Sequence, residues 1–172
     1  MSRALALGLF LMGAIAAVGC VTVEDEDVIR PNCGSREQFE PVSVLLENHC
    51  GSLDCHGGTG RAFAVFGRTG RRRLGSLDDR DPNYFTGGLP TNRHEIDGTF
   101  QSACGLQPEL SDLVARGVEP ATALTMLRKP RLDEAHKGGR VWLPNSSADL
   151  CLQSWFEGGT DFLACERGLE QP

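Results

Sequence analysis

The segment His49-Cys50-Gly51-Ser52-Leu53-Asp54-Cys55-His56-Gly57 brings two thiols and two imidazoles together directly after an amphipathic run. That run starts at Ser35. There Ser35 and Gln38 form a capping-box pattern, in which each side chain can satisfy an exposed backbone amide at a helix start. Phe39, Val42, Leu45 and Leu46 follow at helical spacing, so the pattern predicts a helix that begins at the box and ends at Cys50-Gly51. The helix delivers the chain to the first thiol.

The arrangement Cys50-x-x-x-x-Cys55-His56-Gly57 is the most specific chemical signal in the chain. In c-type haem attachment two cysteine thiols add to the porphyrin vinyl groups, and the histidine after the second cysteine binds the iron from the proximal side. Adjacency is the physical point. A covalent link at Cys55 fixes the backbone under the ring, so His56 reaches the metal with little further loss of entropy, and Gly57 lets the chain turn away. The usual gap between the cysteines is two residues and here it is four, a spacing that also suits a small disulfide loop. Two other uses of these residues stand beside haem. Cys50 and Cys55 could be bridged, to each other or to other cysteines; or Cys50, Cys55, His56 and either His49 or His136 could form a tetrahedral zinc set.

The chain resembles the cytochrome c-like domains of exported proteins and lipoproteins of myxobacteria and planctomycetes. The resemblance runs from about Phe39 to Thr160, and its two ends carry it. At one end Phe39-Glu40-Pro41 leads through Val44-Leu45-Leu46 to Cys50 and Cys55-His56-Gly57. At the other stand Leu127-Arg128-Lys129-Pro130, His136-Lys137-Gly138-Gly139, and Leu152 through Trp155-Phe156-Glu157-Gly158-Gly159, which is similar to the family's closing tryptophan helix. The resemblance implies one covalent haem c held by Cys50 and Cys55, with His56 as proximal ligand. Many relatives place Met-Pro shortly before the last helix as the second axial ligand, and here Leu143-Pro144 stands there. Leucine cannot ligate iron. The remaining candidates are His136, before a flexible Gly-Gly, and Met126 as second choice; Met126, flanked by Leu124 and Leu127, also reads as a core residue.

Outward from this segment, Gly57 to about Phe100 shows neither helical nor strand periodicity and reads as a long loop with short turns. Loops of that length inside a compact domain are uncommon unless they surround something. Short helices are expected around Glu109 to Ala115 and from Ala121 to Leu127, each with proline near its start, and Pro130 is expected to stop the second. A last helix starts at Asn145 or Ser146, with Ala148, Cys151, Leu152, Trp155 and Phe156 on one face and Gly158-Gly159 as a left-handed stop. The expected fold is mainly α: a small cytochrome c-like helical domain over 35–165 with a long irregular loop region and a tail over 166–172.

The other end of the chain reads as a lipoprotein signal. Residues 1–19 are a charged start and an apolar stretch from Ala4 to Val18, followed by Gly19 before Cys20, and the stretch is too short for a comfortable membrane span. Ala17-Val18-Gly19-Cys20 resembles a lipobox, which implies cleavage before Cys20 and lipid on its thiol. Residues 20–34, with Glu24-Asp25-Glu26-Asp27, then form an acidic tether. The protein is expected in the cell envelope, lipid-anchored on the periplasmic face. Val21 in place of aspartate leans toward the outer membrane.

Removing the signal leaves about 150 residues, enough for one domain with a proper core. The net charge of −6 disfavours nucleic acid as a partner, and the arginines Arg61, Arg68, Arg71, Arg72 and Arg73 read as a solvated loop. The expected partners are the membrane, through the anchor, and a redox protein of the envelope. Export permits disulfides. Of seven cysteines, Cys33, Cys104, Cys151 and Cys165 read as two structural bridges whose pairing the spacing leaves open. His94 reads as a surface side chain. Nothing in the sequence matches a nucleophile elbow, a phosphate loop or a metalloprotease helix, so no enzyme is expected. The alternative to an electron carrier is a haem-free, disulfide-stabilised envelope lipoprotein acting as a structural or binding module.

Overall fold

Helix α1, Glu40–Cys50, carries the apolar stripe, and its Phe39, Val42, Leu45 and Leu46 are all buried. The computed structural model describes residues 32–73 and 89–170, which belong to the unit Pro31–Pro172. The signal over 1–19, the lipidation at Cys20 and the acidic run therefore lie outside the described residues, as does the centre of the long loop, 74–88. Within the described residues the protein is helical, with six α-helices and one isolated bridge, Phe66 with Arg71, in place of a sheet. No described helix is long and apolar enough to cross a membrane.

The start of α1 differs from the expected capping box. The helix begins five residues later, after Phe39, with no side-chain cap and with Pro41 in its first turn, where a missing N–H has no partner to lose. The box residues are used elsewhere. Ser35 Oγ donates to Glu37 Oε2 at 2.9 Å, while Gln38 Oε1 accepts from the Thr160 amide at 3.2 Å and holds the far end of the chain. A cap can be replaced cheaply at an exposed helix end, whereas the Thr160 amide is buried and needs its acceptor.

The long loop ends earlier than its composition suggests. Helix α2, Arg93–Leu106, takes up its last eight residues and is opened by a complete capping box between Asn92 and Glu95. One face of the helix is apolar, with Ile96, Phe100, Ala103 and Cys104 at helical spacing against the core, and the face beside it is polar. Glu95, Thr99 and Ser102 stand at helical spacing and serve the preceding loop. Glu95 takes the Arg72 guanidinium at 2.7 Å, Thr99 Oγ1 accepts from the Phe66 amide at 3.0 Å, and Ser102 Oγ from the Ala64 amide at 2.7 Å. A segment without secondary structure must send its buried backbone groups somewhere, and here they go to one helix face. Arg72 is accordingly no solvated loop residue: it is buried against fully buried Glu95, and Arg71 and Arg73 lie over the Phe66 ring.

Helix α3, Pro108–Ala115, appears where expected, and a single 3₁₀ turn, Ala121–Ala123, leads into α4, Thr125–Arg131. Pro130 lies inside α4 and does not stop it. In so short a helix the ring removes one hydrogen bond of the final turn, and left-handed Leu132 (φ 66°) makes the stop one residue further on. Helix α5, Ser147–Phe156, buries Ala148, Cys151, Leu152, Trp155 and Phe156 and ends at left-handed Gly158 (φ 91°), both as expected. A further helix, α6, Phe162–Gly168, was not expected from the pattern. It is short, and its Phe162 and Leu163 are exposed while Ala164, Cys165 and Gly168 face inward.

The core forms where α1, α2 and α5 meet. Trp155, fully buried, packs on Phe39 at 4.7 Å and on Phe156 at 4.5 Å between ring centroids, and Phe100 closes the cluster edge-on against Phe39 at 5.4 Å. Its indole N–H donates to the Ser35 carbonyl at 2.9 Å. Gly34 lies flat on the same ring: a Cβ there would stand 2.4 Å from Trp155 Cε2. Cys33 is bridged to Cys104 and Cys151 to Cys165, so one bond fastens the entry of the domain to α2 and the other ties α5 to α6.

Candidate functional site

The chain from Cys50 to Val65 is a tight loop held by its own backbone. His56 N–H donates to the Cys50 carbonyl at 2.9 Å, and the His56 carbonyl accepts from the Val65 amide at 2.9 Å. Glu47 of α1 fastens the next turn through the Thr69 amide at 3.1 Å. Three glycines let these strands of backbone touch. A Cβ on Gly57 would stand 1.9 Å from the Gly51 carbonyl oxygen, and one on Gly70 also 1.9 Å from it. Gly57 is therefore needed for close approach, a different reason from the turn that the sequence suggests. Gly57→Ala should cost about 1–3 kcal/mol by overpacking against backbone. Gly105→Ala, on α2 with nothing within 4 Å, should be neutral or stabilising by up to about 1 kcal/mol. Chemical denaturation of the two variants checks the contrast.

This loop sets Cys50, Cys55 and His56 on one wall of a cavity of about 830 Å³, and His136 and Met126 on another. Both cysteines are free thiols, neither bridged to the other nor elsewhere. Cys50, the last residue of α1, is buried; burial first, and then the nearby Cys55, push its pKa up to about 12, so it stays a neutral thiol. Cys55 is half-buried. The walls are completed by apolar side chains, among them Leu46, Phe63, Leu106 and Trp142, while Arg61, Lys129 and Lys137 bring positive charge to the lining.

The two histidines form the decisive geometry. Their rings lie 6.2 Å apart between centroids and within 10° of parallel. His56 Nδ1 is 3.0 Å from the Phe63 carbonyl oxygen, and His136 Nδ1 is 2.8 Å from that of Gly139. A carbonyl can only accept, so each Nδ1 carries a proton, and in the neutral ring the lone pair then lies on Nε2. This is the orientation that fixes a metal-ligating histidine in its tautomer. Burial, with smaller contributions from the charges of His136, Arg61 and Lys129, lowers the pKa of His56, against which the Phe63 hydrogen bond works; the ring is held neutral, as a ligand must be.

The residues present are compatible with a haem in this cavity. Two imidazoles bound at about 2 Å on opposite sides of one metal put their ring centroids about 6 Å apart, close to the observed separation. Among the described residues, however, no group of three or more His, Cys, Asp and Glu side chains converges as a metal site. A metal held by two nitrogens alone needs its other ligands from a group that brings its own, as a porphyrin does. The zinc set fails on His49 as well, because His49 Nε2 is 2.9 Å from the Gly168 carbonyl and its ring packs edge-on against Trp142.

Of the other candidates, Met126 is buried and lines the cavity, Leu143 is exposed and takes no part in it, and His94 is exposed. The sequence reading did not find Phe63 or Gly139, whose backbone carbonyls orient the two imidazoles, nor Leu106 and Trp142 as walls. A carbonyl partner leaves no trace in residue type. Comparison with protein-family models, with curated proteins and with solved structures finds no match.

Proposed function

We propose that the chain is a c-type cytochrome-like electron carrier of the cell envelope, tethered through lipid on Cys20 and holding one haem covalently on Cys50 and Cys55. His56 is the proximal ligand and His136 the distal one. The observation that supports this most is the near-parallel His56 and His136 pair, each with Nδ1 committed to a backbone carbonyl, beside two free thiols on one cavity.

A haem bound here would supply one-electron redox chemistry, and the protein's own groups do the rest. Cys50 and Cys55 would tether it, the hydrogen bonds to Phe63 and Gly139 aim the two imidazoles, and Leu46, Phe63, Leu106 and Trp142 would make its surroundings apolar. Two histidine ligands give a lower reduction potential than a histidine–methionine pair. The positive groups Arg61, Lys129 and Lys137 suit the carboxylates that a haem carries.

The test is expression of the full chain in a host that matures c-type cytochromes, followed by an alkaline pyridine spectrum of the denatured protein. A covalent haem c band is expected, and it should vanish in Cys50→Ser/Cys55→Ser. A colourless protein whose mass shows Cys50 joined to Cys55 overturns the reading in favour of a haem-free, cross-linked binding module. Ligand choice is tested apart from attachment: His136→Ala should abolish the low-spin spectrum, and Met126→Ala should leave it in place. Mass analysis of the mature N-terminus should show an acylated Cys20.

A further inference from the structure

The two histidines are held in unequal ways, and the difference points to a ligand-binding function. His56 is bonded on both sides of its backbone, to Cys50 and to Val65, and its ring is aimed by Phe63 seven residues away. To move His56 the chain must break all three bonds. His136 is different. Its ring is aimed by Gly139, and the Gly139 amide donates back to the His136 carbonyl at 3.0 Å, so both bonds close within one turn. The turn can swing as a unit with both intact.

The chain is fastened on either side of the turn, by the Asp133 amide to the Arg128 carbonyl at 2.9 Å, the Val141 amide to the Pro130 carbonyl at 2.9 Å and Arg140 Nε to the Arg131 carbonyl at 3.3 Å, and the turn itself lies between these points. Left-handed Leu132 (φ 66°) precedes the turn and left-handed Gly139 (φ 74°) ends it, and Ala135, Lys137 and Gly138 are exposed. Its neighbour Glu134 reaches α4 through Arg128 at 3.4 Å, Lys129 at 3.5 Å and Thr125 Oγ1 at 3.3 Å. Those ion pairs are partly exposed, of the kind that contributes about 0–1 kcal/mol. The cavity that His136 lines also carries apolar Leu106, Met126 and Pro130, against which a small neutral guest gives up less hydration than a charged one.

We propose that His136 is a displaceable ligand, and that the face it covers takes a small neutral diatomic molecule of the carbon monoxide class. The inference rests on the haem reading given above. In the exchange one coordinate bond to His136 Nε2 breaks and one to the carbon of carbon monoxide forms; no electron or proton is transferred. His56 stays in place throughout.

The experiment is stopped-flow mixing of the reduced full-chain holoprotein with carbon monoxide, followed in the Soret region, with a pyridine spectrum of the same sample to establish that haem is present. Wild-type binding should proceed at a rate that levels off as carbon monoxide rises, because His136 must leave first. His136→Ala should bind without levelling off and with on the order of tenfold higher apparent affinity, since no closed population remains. Glu134→Ala, which removes only the surface restraints, should raise the limiting rate. If wild-type protein containing haem shows no Soret change while His136→Ala does, His136 is a fixed ligand and the proposal is overturned. It is overturned equally if the two bind identically, because His136 then does not guard the position. A sample without haem overturns the parent reading, and the pyridine spectrum identifies that case.

Discussion

Arg131→Ala should destabilise the domain by about 3–5 kcal/mol, the cost of leaving a buried charge without its partner. The Arg131 guanidinium grips Asp149 through two parallel hydrogen bonds, Nε to Oδ1 at 2.6 Å and Nη2 to Oδ2 at 2.7 Å, with 6% and 0% of the two side chains exposed. Asp149 also accepts from the Asn145 amide at 2.7 Å, so the start of α5 depends on the same carboxylate. Arg131 closes α4, which carries Met126, Lys129 and Pro130 of the cavity wall, and the pair locks that wall onto α5. Lysine cannot reproduce the fork, so Arg131→Lys should recover only part of the loss. Arg131→Met/Asp149→Asn removes both charges while keeping an acceptor for Asn145, and should be milder than Arg131→Ala. Urea denaturation measures all three, and a loss under about 1 kcal/mol for Arg131→Ala would show that Asp149 finds water or another donor.

Removing the Cys33–Cys104 bridge should cost about 4 kcal/mol and lower Tm by more than about 10 °C. The bridge spans 71 residues, against 14 for Cys151–Cys165, and a longer closed loop leaves the unfolded chain more freedom to regain. The shorter bridge should contribute about 3 kcal/mol, so the order of the two double alanine variants is itself a check. The longer bridge has a second role. It holds the entry segment on which Gly34 and Ser35 contact Trp155, so its loss should also loosen the aromatic cluster. Differential scanning calorimetry, with near-ultraviolet circular dichroism to follow the tryptophan environment, separates the two effects. Thiol labelling of the denatured, unreduced apoprotein should modify Cys50 and Cys55 and leave Cys33, Cys104, Cys151 and Cys165 untouched.

The amino-acid sequence alone determined the helices whose buried faces are apolar. The stripes through Phe39 and Leu46 and through Cys151 and Phe156 read correctly, because water drives such residues to one side of any helix wherever that helix later packs. It also determined that Cys55 and His56 lie at one place, since neighbours in the chain cannot be far apart in space. What it could not determine depends on partners distant in the chain. Helix α2 sets Ile96, Phe100, Ala103 and Cys104 against the core at helical spacing, but the service of Glu95, Thr99 and Ser102 to a loop some thirty residues earlier shows only in the folded chain. The pairing of Cys33 with Cys104 depends on where α2 lies. Above all, the approach of His136 to His56 across eighty residues, each ring turned by a backbone carbonyl, is a product of packing: every residue offers the same carbonyl, and only the folded chain decides which one an imidazole meets.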